Sequence, residues 1–471
     1  MDAIVKSVKA GVEGGHEAGS KVEREEFGKL GMTPESDALR GIFFSMTATK
    51  KSPFGKPAHD VKQVGVLGAG LMGAGIAQVS AKAGYRVVLK DQNAESLARG
   101  ESQIAGNLAP MVKKRRMRGF DRDQMLSRVV GVTADEPVWE KHMSQCDLVL
   151  EAVFESMELK HQVVKEIEPL LRDNAVLATN TSALPIGDIA KAAKRPEQVL
   201  GMHYFSPVDK MPLLEIIPHE GTSDEALAVA FEVGRKQGKT VIVVSDVPGF
   251  YVNRCLGPFM VESIALLQEG CPAEKLDKVM KKAGFPVGPI TLADEVGMDV
   301  AVKVSQFLSD KLEDRMQGAD PGMMAEVVAS GALGRKAGKG FFTYSKGKGG
   351  KVVKAVNPEA QAIIAKYAKD GPAAEASDDV LVARMISRFT NEAIRCLEDG
   401  IIRSPGDGDI GAVFGMGFPP FRGGPFRYVD ARGAQAVADE MSRFADQLGS
   451  QFAPPQLLLD HAKSGKPFHS S

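Results

Sequence analysis

"VKQVGVLGAGLMGAGIAQVSAKAGYRVVLKD", residues 61–91, decides how the rest of this chain is read. An apolar run of strand type, "VKQVGVL", stops at a glycine-rich turn. A helical segment follows, and then a second apolar strand run, "RVVLKD". Gly68-Ala69-Gly70-Leu71-Met72-Gly73 has the spacing GxGxxG. Alone that spacing is a weak signal, but between a strand and a helix it acquires a physical meaning. The first glycine permits the tight turn and the second lets a pyrophosphate approach the backbone. The third lets helix and strand pack closely, so that the helix N-terminus faces the phosphates. Asp91 closes the second strand 23 residues after Gly68. A carboxylate there accepts hydrogen bonds from ribose hydroxyls and repels a 2′-phosphate, which favours NAD over NADP. Lys90 and Gln92 soften that preference. A structural turn with a surface aspartate is the bland alternative, and it accounts less well for position and spacing together.

Further strand segments follow at "CDLVLEAV" (146–153), "AVLATNTS" (175–182), "QVLGMHYFS" (198–206) and "TVIVVSD" (240–246). Helix-like stretches separate several of them, which predicts a doubly wound, mostly parallel sheet across 59–246. After "VSDVPGFYVNR" (244–254) the periodicity turns helical, as in "FMVESIALLQEG" (259–270), and 247–345 reads as a first helical domain. "YSKGKGGKVVKAVNP" (344–358) is basic and glycine-rich, so 346–377 is expected to be a linker before a second helical domain at 378–471. Residues 1–58 are polar and partly helical in pattern, and "KKSPFGKPAHD" (50–60) reads as a linker.

The two helical stretches resemble each other. "FMVESIALLQEG" with "GFPVGPITLADEVG" (284–297) matches "RFTNEAIRCLEDG" (388–400) with "GFPPFRGGPFRYVDARG" (417–433). Glu262 pairs with Glu392 in this match and Asp294 with Asp430, each aspartate five residues after a Gly-Pro. The second helical domain is therefore expected to be a duplicate of the first.

Composition excludes several classes. The net charge of -1 offers no general attraction to nucleic acid or to an anionic membrane. No apolar run is long enough to span a bilayer. The four cysteines lie far apart without a CxxC, against a zinc site or a disulfide framework. No HExxH or Cys/His spacing suggests a metal, and no GxSxG suggests a serine hydrolase. The N-terminal stretch has no signal-peptide core, and its acidic residues do not suit a transit peptide.

One further stretch carries chemistry. "GMHYFSPVDKMPLLEII" (201–217) reads as two short strands around a Pro-containing turn, with His203 near its start and Glu215 twelve residues later. On its own this could be a satisfied core histidine and an edge glutamate. Glu151, Glu155 and Lys160, in "EAVFESMELK", stand where a strand meets a helix; a solvated helix start and a cofactor contact both fit.

"GAGLMGAGIA", "NTSALPI", "HYFSPVDKMPLLEII" and "PGFYVNR" together resemble the L-3-hydroxyacyl-CoA dehydrogenases. The resemblance is greatest to the dehydrogenase part of the multifunctional alpha subunits of fatty-acid beta-oxidation, the mitochondrial trifunctional enzyme among them. It implies a Rossmann-type sheet followed by the duplicated helical domain, with NAD as cofactor and an acyl-CoA as substrate. It implies His203 as catalytic base and Glu215 as its partner, with Ser182 and Asn253 beside the reacting oxygen. Asp91, Glu155, Lys160, Ser182 and Ser206 match cofactor contacts, as does the backbone at Gly68, Gly70, Leu71, Met72 and Gly73. Asn107 and Lys114 match coenzyme A contacts, and Tyr428 an acyl-substrate contact. A thiolase subunit as partner, a homo-oligomer, and peripheral membrane association through a complex follow from the same likeness. So does a mitochondrial setting, or a bacterial cytoplasm for a prokaryotic chain. Relatives of this kind carry an enoyl-CoA hydratase domain ahead of the dehydrogenase. Residues 1–58 match only the linker helix after it, so hydratase activity is not expected.

The chemistry fits these residue types. Oxidising a 3-hydroxyacyl-CoA removes the hydroxyl proton as hydride leaves the same carbon. An imidazole, ordinarily titrating at about 6.5, suits the first task. A carboxylate on its other nitrogen fixes the tautomer and stabilises the imidazolium as it forms. Polar donors on the developing oxyanion are worth about 3 kcal/mol each in a closed site. Ser182 could equally cap the helix that follows it, and Asn253 could cap its own. Lys113-Lys114-Arg115-Arg116 is either a solvated helix face or a site for the phosphates of coenzyme A. Two competing readings are an acyl-CoA-binding acyltransferase, with His203 activating an acceptor, and a non-catalytic scaffold subunit.

Overall fold

A computed structural model describes the chain except for residues 137, 348–351 and 470–471. Eight strands form one sheet: β1 (Gln63–Leu67), β2 (Arg86–Asp91), β3 (Val129–Thr133), β4 (Leu148–Glu151), β5 (Val176–Thr179), β6 (Val199–Tyr204), β7 (Leu213–Ile217) and β8 (Thr240–Val243). Their order is β3-β2-β1-β4-β5-β6-β7-β8. From β3 to β6 every neighbour is parallel. Strands with helices on both faces must be apolar on both, and every residue of β4, β5, β6 and β7 is buried.

One strand lies outside the expected set, and the strand pair in 201–217 folds back at its Pro-containing turn. β3 belongs to the sheet although "VVGVT" is short and follows a charged stretch. β7 runs antiparallel to β6, because the turn at 205–212 sends the chain straight back, and β8 then lies parallel to β7.

Before the sheet come α1 (Asp2–Gly31), kinked at Gly15, and α2 (Pro34–Ala48). α2 packs against the second helical half, where a Cβ at Gly41 would fall 2.0 Å from Arg427 Nε. The glycine there lets the helix approach.

After the sheet the chain is built around two long helices, Val252–Gln268 and Asp378–Glu398, packed against each other. Each belongs to a unit with the same two aspartate anchors. In the first unit Asp277 accepts from Ile290 N (2.9 Å), at the start of Pro289–Val296. In the second, Asp409 accepts from Phe426 N (2.9 Å), at the start of Pro425–Arg432. Asp294 then accepts from Phe341 N and Phe342 N (2.8 and 2.9 Å), and Asp430 from Phe468 N and His469 N (2.7 and 3.0 Å). Each carboxylate satisfies buried backbone donors that would otherwise be stranded.

The expected linker at 346–377 is structured. β9 (Phe342–Lys346) pairs antiparallel with β10 (Val352–Val356), and the helix Pro358–Lys366 follows. β10 alternates Val, Lys and Ala without a buried face, so its sequence reads as a connector; pairing with β9 makes it a strand. The tip of "KGKGGK" lies outside the described residues.

Candidate active site

The glycine turn has the geometry a dinucleotide requires. Gly68 has φ 95°, and a Cβ there would stand 2.7 Å from Ala152 O. A Cβ on Gly73 would sit 1.8 Å from Gly68 O, so only hydrogen fits where α3 (Leu71–Lys82) crosses β1. At Gly70 a Cβ would meet nothing within 4 Å: that side of the turn is open. Gly70 caps α3 without a side chain, which leaves the first-turn amides of Leu71 and Met72 for a ligand. Asp91 reaches back to this turn, accepting from Ala69 N (2.6 Å) at the end of β2. These residues fit an NAD pyrophosphate and ribose.

On the same edge of the sheet, with β4 and β5 between, lies the His–carboxylate pair. β6 and β7 register His203 directly opposite Glu215, and the side chains meet across the strands with Nδ1 to Oε2 at 2.7 Å. Two features fix that register. The intervening turn is closed by Lys210 N and Met211 N on Pro207 O. Lys239 Nζ donates to Val208 O and to Met211 O. Burial pushes the Lys239 ammonium down to about 8.

Glu215 is fully buried, so both its oxygens need partners. Oε2 takes the imidazole. Oε1 accepts from Tyr251 N (3.3 Å) and Val252 N (3.0 Å), where the helix Val252–Gln268 begins. A helix N-terminus carries partial positive charge and favours the carboxylate. With the Nδ1 proton committed to Glu215, the lone pair of neutral His203 is on Nε2. Phe205 and Phe250 flank the imidazole, with ring centroids 4.4 and 5.8 Å away. Phe250 holds φ 51° next to Gly249 at φ 74°. A left-handed non-glycine residue costs on the order of 1–3 kcal/mol. The conformation turns the chain from the sheet into the helix and brings the two amides onto Glu215.

Ser182 follows β5, the parallel neighbour of β6. Its N and Oγ donate to Glu155 Oε1 (3.0 and 3.4 Å), and its carbonyl accepts from Asn253 Nδ2 (3.1 Å). Asn253 adjoins Val252, so the helix start holds Glu215 with its backbone and reaches Ser182 with its side chain. Glu155 and Ser206 are exposed beside this crevice. Sequence reasoning missed the two amides on Glu215, the aromatic flanks, and Asn180, whose Oδ1 accepts from Tyr204 N (2.9 Å).

Three of the expected contact residues have partners within the protein. Lys160 is 1% exposed, its Nζ held by Glu151 Oε2 (2.8 Å), Glu155 Oε2 (3.2 Å) and Thr179 Oγ1 (3.4 Å). It braces Glu155 from within. Tyr428 is a core residue of the second helical unit, packed 6.4 Å from Phe418, with Arg432 Nη1 on its hydroxyl (2.6 Å). Asn107 Nδ2 donates to Gln78 Oε1 (2.8 Å). Lys114, at the C-terminal end of α4 (Ala94–Lys113), is exposed together with Lys113, Arg115 and Arg116. Among the described residues none of the four enters an ion pair.

Comparison with known proteins finds two adjoining family matches. Residues 63–247 match the family model described as "3-hydroxyacyl-CoA dehydrogenase, NAD binding domain", and residues 249–344 the one described as its C-terminal domain. The fatty acid oxidation complex subunit alpha of Vibrio vulnificus is 44% identical over 472 residues, covering 100% of this chain and 64% of that protein. The chain thus spans 64% of the length of the curated relatives it matches. Among solved structures, 3-hydroxybutyryl-CoA dehydrogenase of Escherichia coli superposes with a TM-score of 0.73 at 26% identity, over 86% of this chain and 100% of that one. (S)-3-hydroxybutyryl-CoA dehydrogenase of Ralstonia eutropha gives 0.57 at 35% identity, over 61% of this chain and 100% of its own. These relatives are bacterial and lend no support to the mitochondrial setting. With a glycine turn suited to NAD and a histidine–glutamate pair on one edge of the sheet, and with these matches across sheet and helices, the chain belongs to the 3-hydroxyacyl-CoA dehydrogenase family.

Proposed function

We propose that this chain oxidises (S)-3-hydroxyacyl-CoA to 3-oxoacyl-CoA with NAD, as a step of fatty-acid beta-oxidation. One observation carries the reading: the 2.7 Å contact of His203 Nδ1 with a fully buried Glu215 whose other oxygen is held by Tyr251 N and Val252 N. That arrangement commits Nδ1 and leaves Nε2 to take the substrate hydroxyl proton. Bound NAD supplies the hydride acceptor. Asn253 and Ser182 steady the oxygen as its negative charge grows. Asp91 and the Gly68–Gly73 turn hold the dinucleotide, and Glu155 and Ser206 border it.

The exposed Lys114, with its basic neighbours, meets the phosphates of coenzyme A. The relatives are named as subunits of a fatty acid oxidation complex. We infer a partner that consumes the 3-oxoacyl-CoA, a thiolase subunit, and a bacterial setting.

The reaction runs readily in reverse, so absorbance at 340 nm with acetoacetyl-CoA and NADH tests the proposal. Loss of absorbance in proportion to enzyme is expected. A folded protein that leaves NADH untouched would overturn the dehydrogenase reading. An unchanged KM for acetoacetyl-CoA in Lys114→Ala would remove the coenzyme A contact.

A further inference from the structure

The two long helices carry the same charged pair in the same order. Arg254 and Glu262 stand eight residues apart on Val252–Gln268, and Arg384 and Glu392 eight apart on Asp378–Glu398. The pairs cross between helices. Arg254 Nε donates to Glu392 Oε1 (2.8 Å), and Arg384 Nε to Glu262 Oε1 (2.7 Å). All four side chains are buried. The helices are therefore related by an approximate two-fold axis, and the two ion pairs are its mates.

Their surroundings differ. Arg384 is also gripped by Glu269, both contacts at 2.7 Å, at an end remote in sequence from every residue of the candidate site. Arg254 stands in the first turn of its helix, next to Asn253 and just after the amides that hold Glu215. A second tie acts at the same place: Tyr251 Oη donates to Gly408 O of the duplicated half (2.9 Å). The duplicate offers no site of its own here, since Ala383 precedes Arg384 where Asn253 precedes Arg254.

We propose that Glu392 is a positioning residue for the dehydrogenase reaction. Through Arg254 it fixes the first turn of Val252–Gln268 against Glu215 and Ser182, and so sets the direction of His203. The amides of that first turn stand at 3.0 and 3.3 Å from Glu215. A carboxylate fixed at those amides keeps the imidazole aligned, and displacements of about 1 Å in a reacting group can cost about a hundredfold in rate.

The inference rests on the dehydrogenase reading, and the two fail differently: a wild-type protein without turnover sinks that reading, whereas this one is decided by ratios among active variants. Steady-state kinetics with acetoacetyl-CoA and NADH, alongside thermal unfolding, are measured for Glu392→Gln, Arg254→Gln, the double variant and Glu262→Gln. In Glu392→Gln kcat is expected to fall about tenfold or more, with KM for NADH little changed. Glu392 Oε1 also accepts from Arg315 Nη1 (3.1 Å), but the helix start feels Glu392 through Arg254 alone, so the double variant should be no slower than the slower single variant. Glu262→Gln, the symmetry mate, should lower Tm comparably and keep kcat within about twofold. Equal kcat losses in Glu392→Gln and Glu262→Gln would overturn the proposal, as would multiplicative losses in the double variant. If Glu392→Gln does not fold, Arg254→Lys replaces it: a lysine keeps the charge but loses the Nε contact, and unchanged kcat there overturns the proposal equally.

Discussion

The two helical units share a scaffold and differ in what they present. Both anchor a helix start on an aspartate, Asp277 in one and Asp409 in the other. Both clamp a later Phe-containing segment, with Asp294 and Asp430. Only the first turns the start of its long helix toward the sheet, where Tyr251 N and Val252 N hold Glu215 and Asn253 reaches Ser182. The second has Ala383 at the matching place and spends its histidine differently. His469 Nε2 meets Asp409 Oδ2 at 2.7 Å, tying the end of the chain to the unit's own core. A histidine–carboxylate distance is therefore not enough to make a base. What separates the pairs is position: His203 lies at the carboxyl end of a parallel strand, on the sheet edge that carries the glycine turn, and His469 lies after the helix Gln456–Ser464.

That contrast can be broken by experiment. The largest effect after loss of the base itself is expected in Glu215→Gln. An amide in place of the carboxylate no longer favours the productive tautomer, and kcat should fall about a thousandfold, while Asp409→Asn should leave it within about twofold. Equal kcat values for the two variants would mean that Glu215 is only a packing residue. Next comes Asn253→Ala, expected to lower kcat about a hundredfold; Ala383→Asn should change nothing, and a rate change there would give the second unit a catalytic part.

The smallest effect concerns stability. Burial pushes the Asp409 carboxyl from 3.8 up to about 6 despite His469. A raised carboxyl binds its proton more tightly when folded, so its stabilising contribution is complete below pH 3.8 and is lost as pH rises through about 6. Asp409→Asn should flatten the dependence of Tm on pH across that window by about 2 °C. An unaltered slope would show that Asp409 does not titrate there.

Much of this was legible in the sequence, and the remainder has physical reasons. The strand–turn–helix at 61–91 was readable because glycine spacing, apolar runs and Asp91 agree. β3 was not, being short and preceded by charge, and β10 became a strand only by pairing with β9. His203 and Glu215 could be paired from a turn between two strands, and the register bears out that geometry. The amides on Glu215 could not be found, since backbone donors 36 and 37 residues away leave no mark in side-chain identity. Lys160, Asn107 and Tyr428 were read from likeness as ligand contacts, and their partners within the protein left no mark in the sequence. The Arg254–Glu392 pair spans 138 residues. Its signal was present in the duplication, as the repeated Arg and Glu eight residues apart.

The most direct test of the account is kcat for NADH-dependent reduction of acetoacetyl-CoA in His203→Gln and His469→Gln, measured side by side with unfolding curves. The account predicts a loss of at least about a thousandfold in His203→Gln and wild-type turnover in His469→Gln. A folded His203→Gln protein that works within about tenfold of wild type would contradict it.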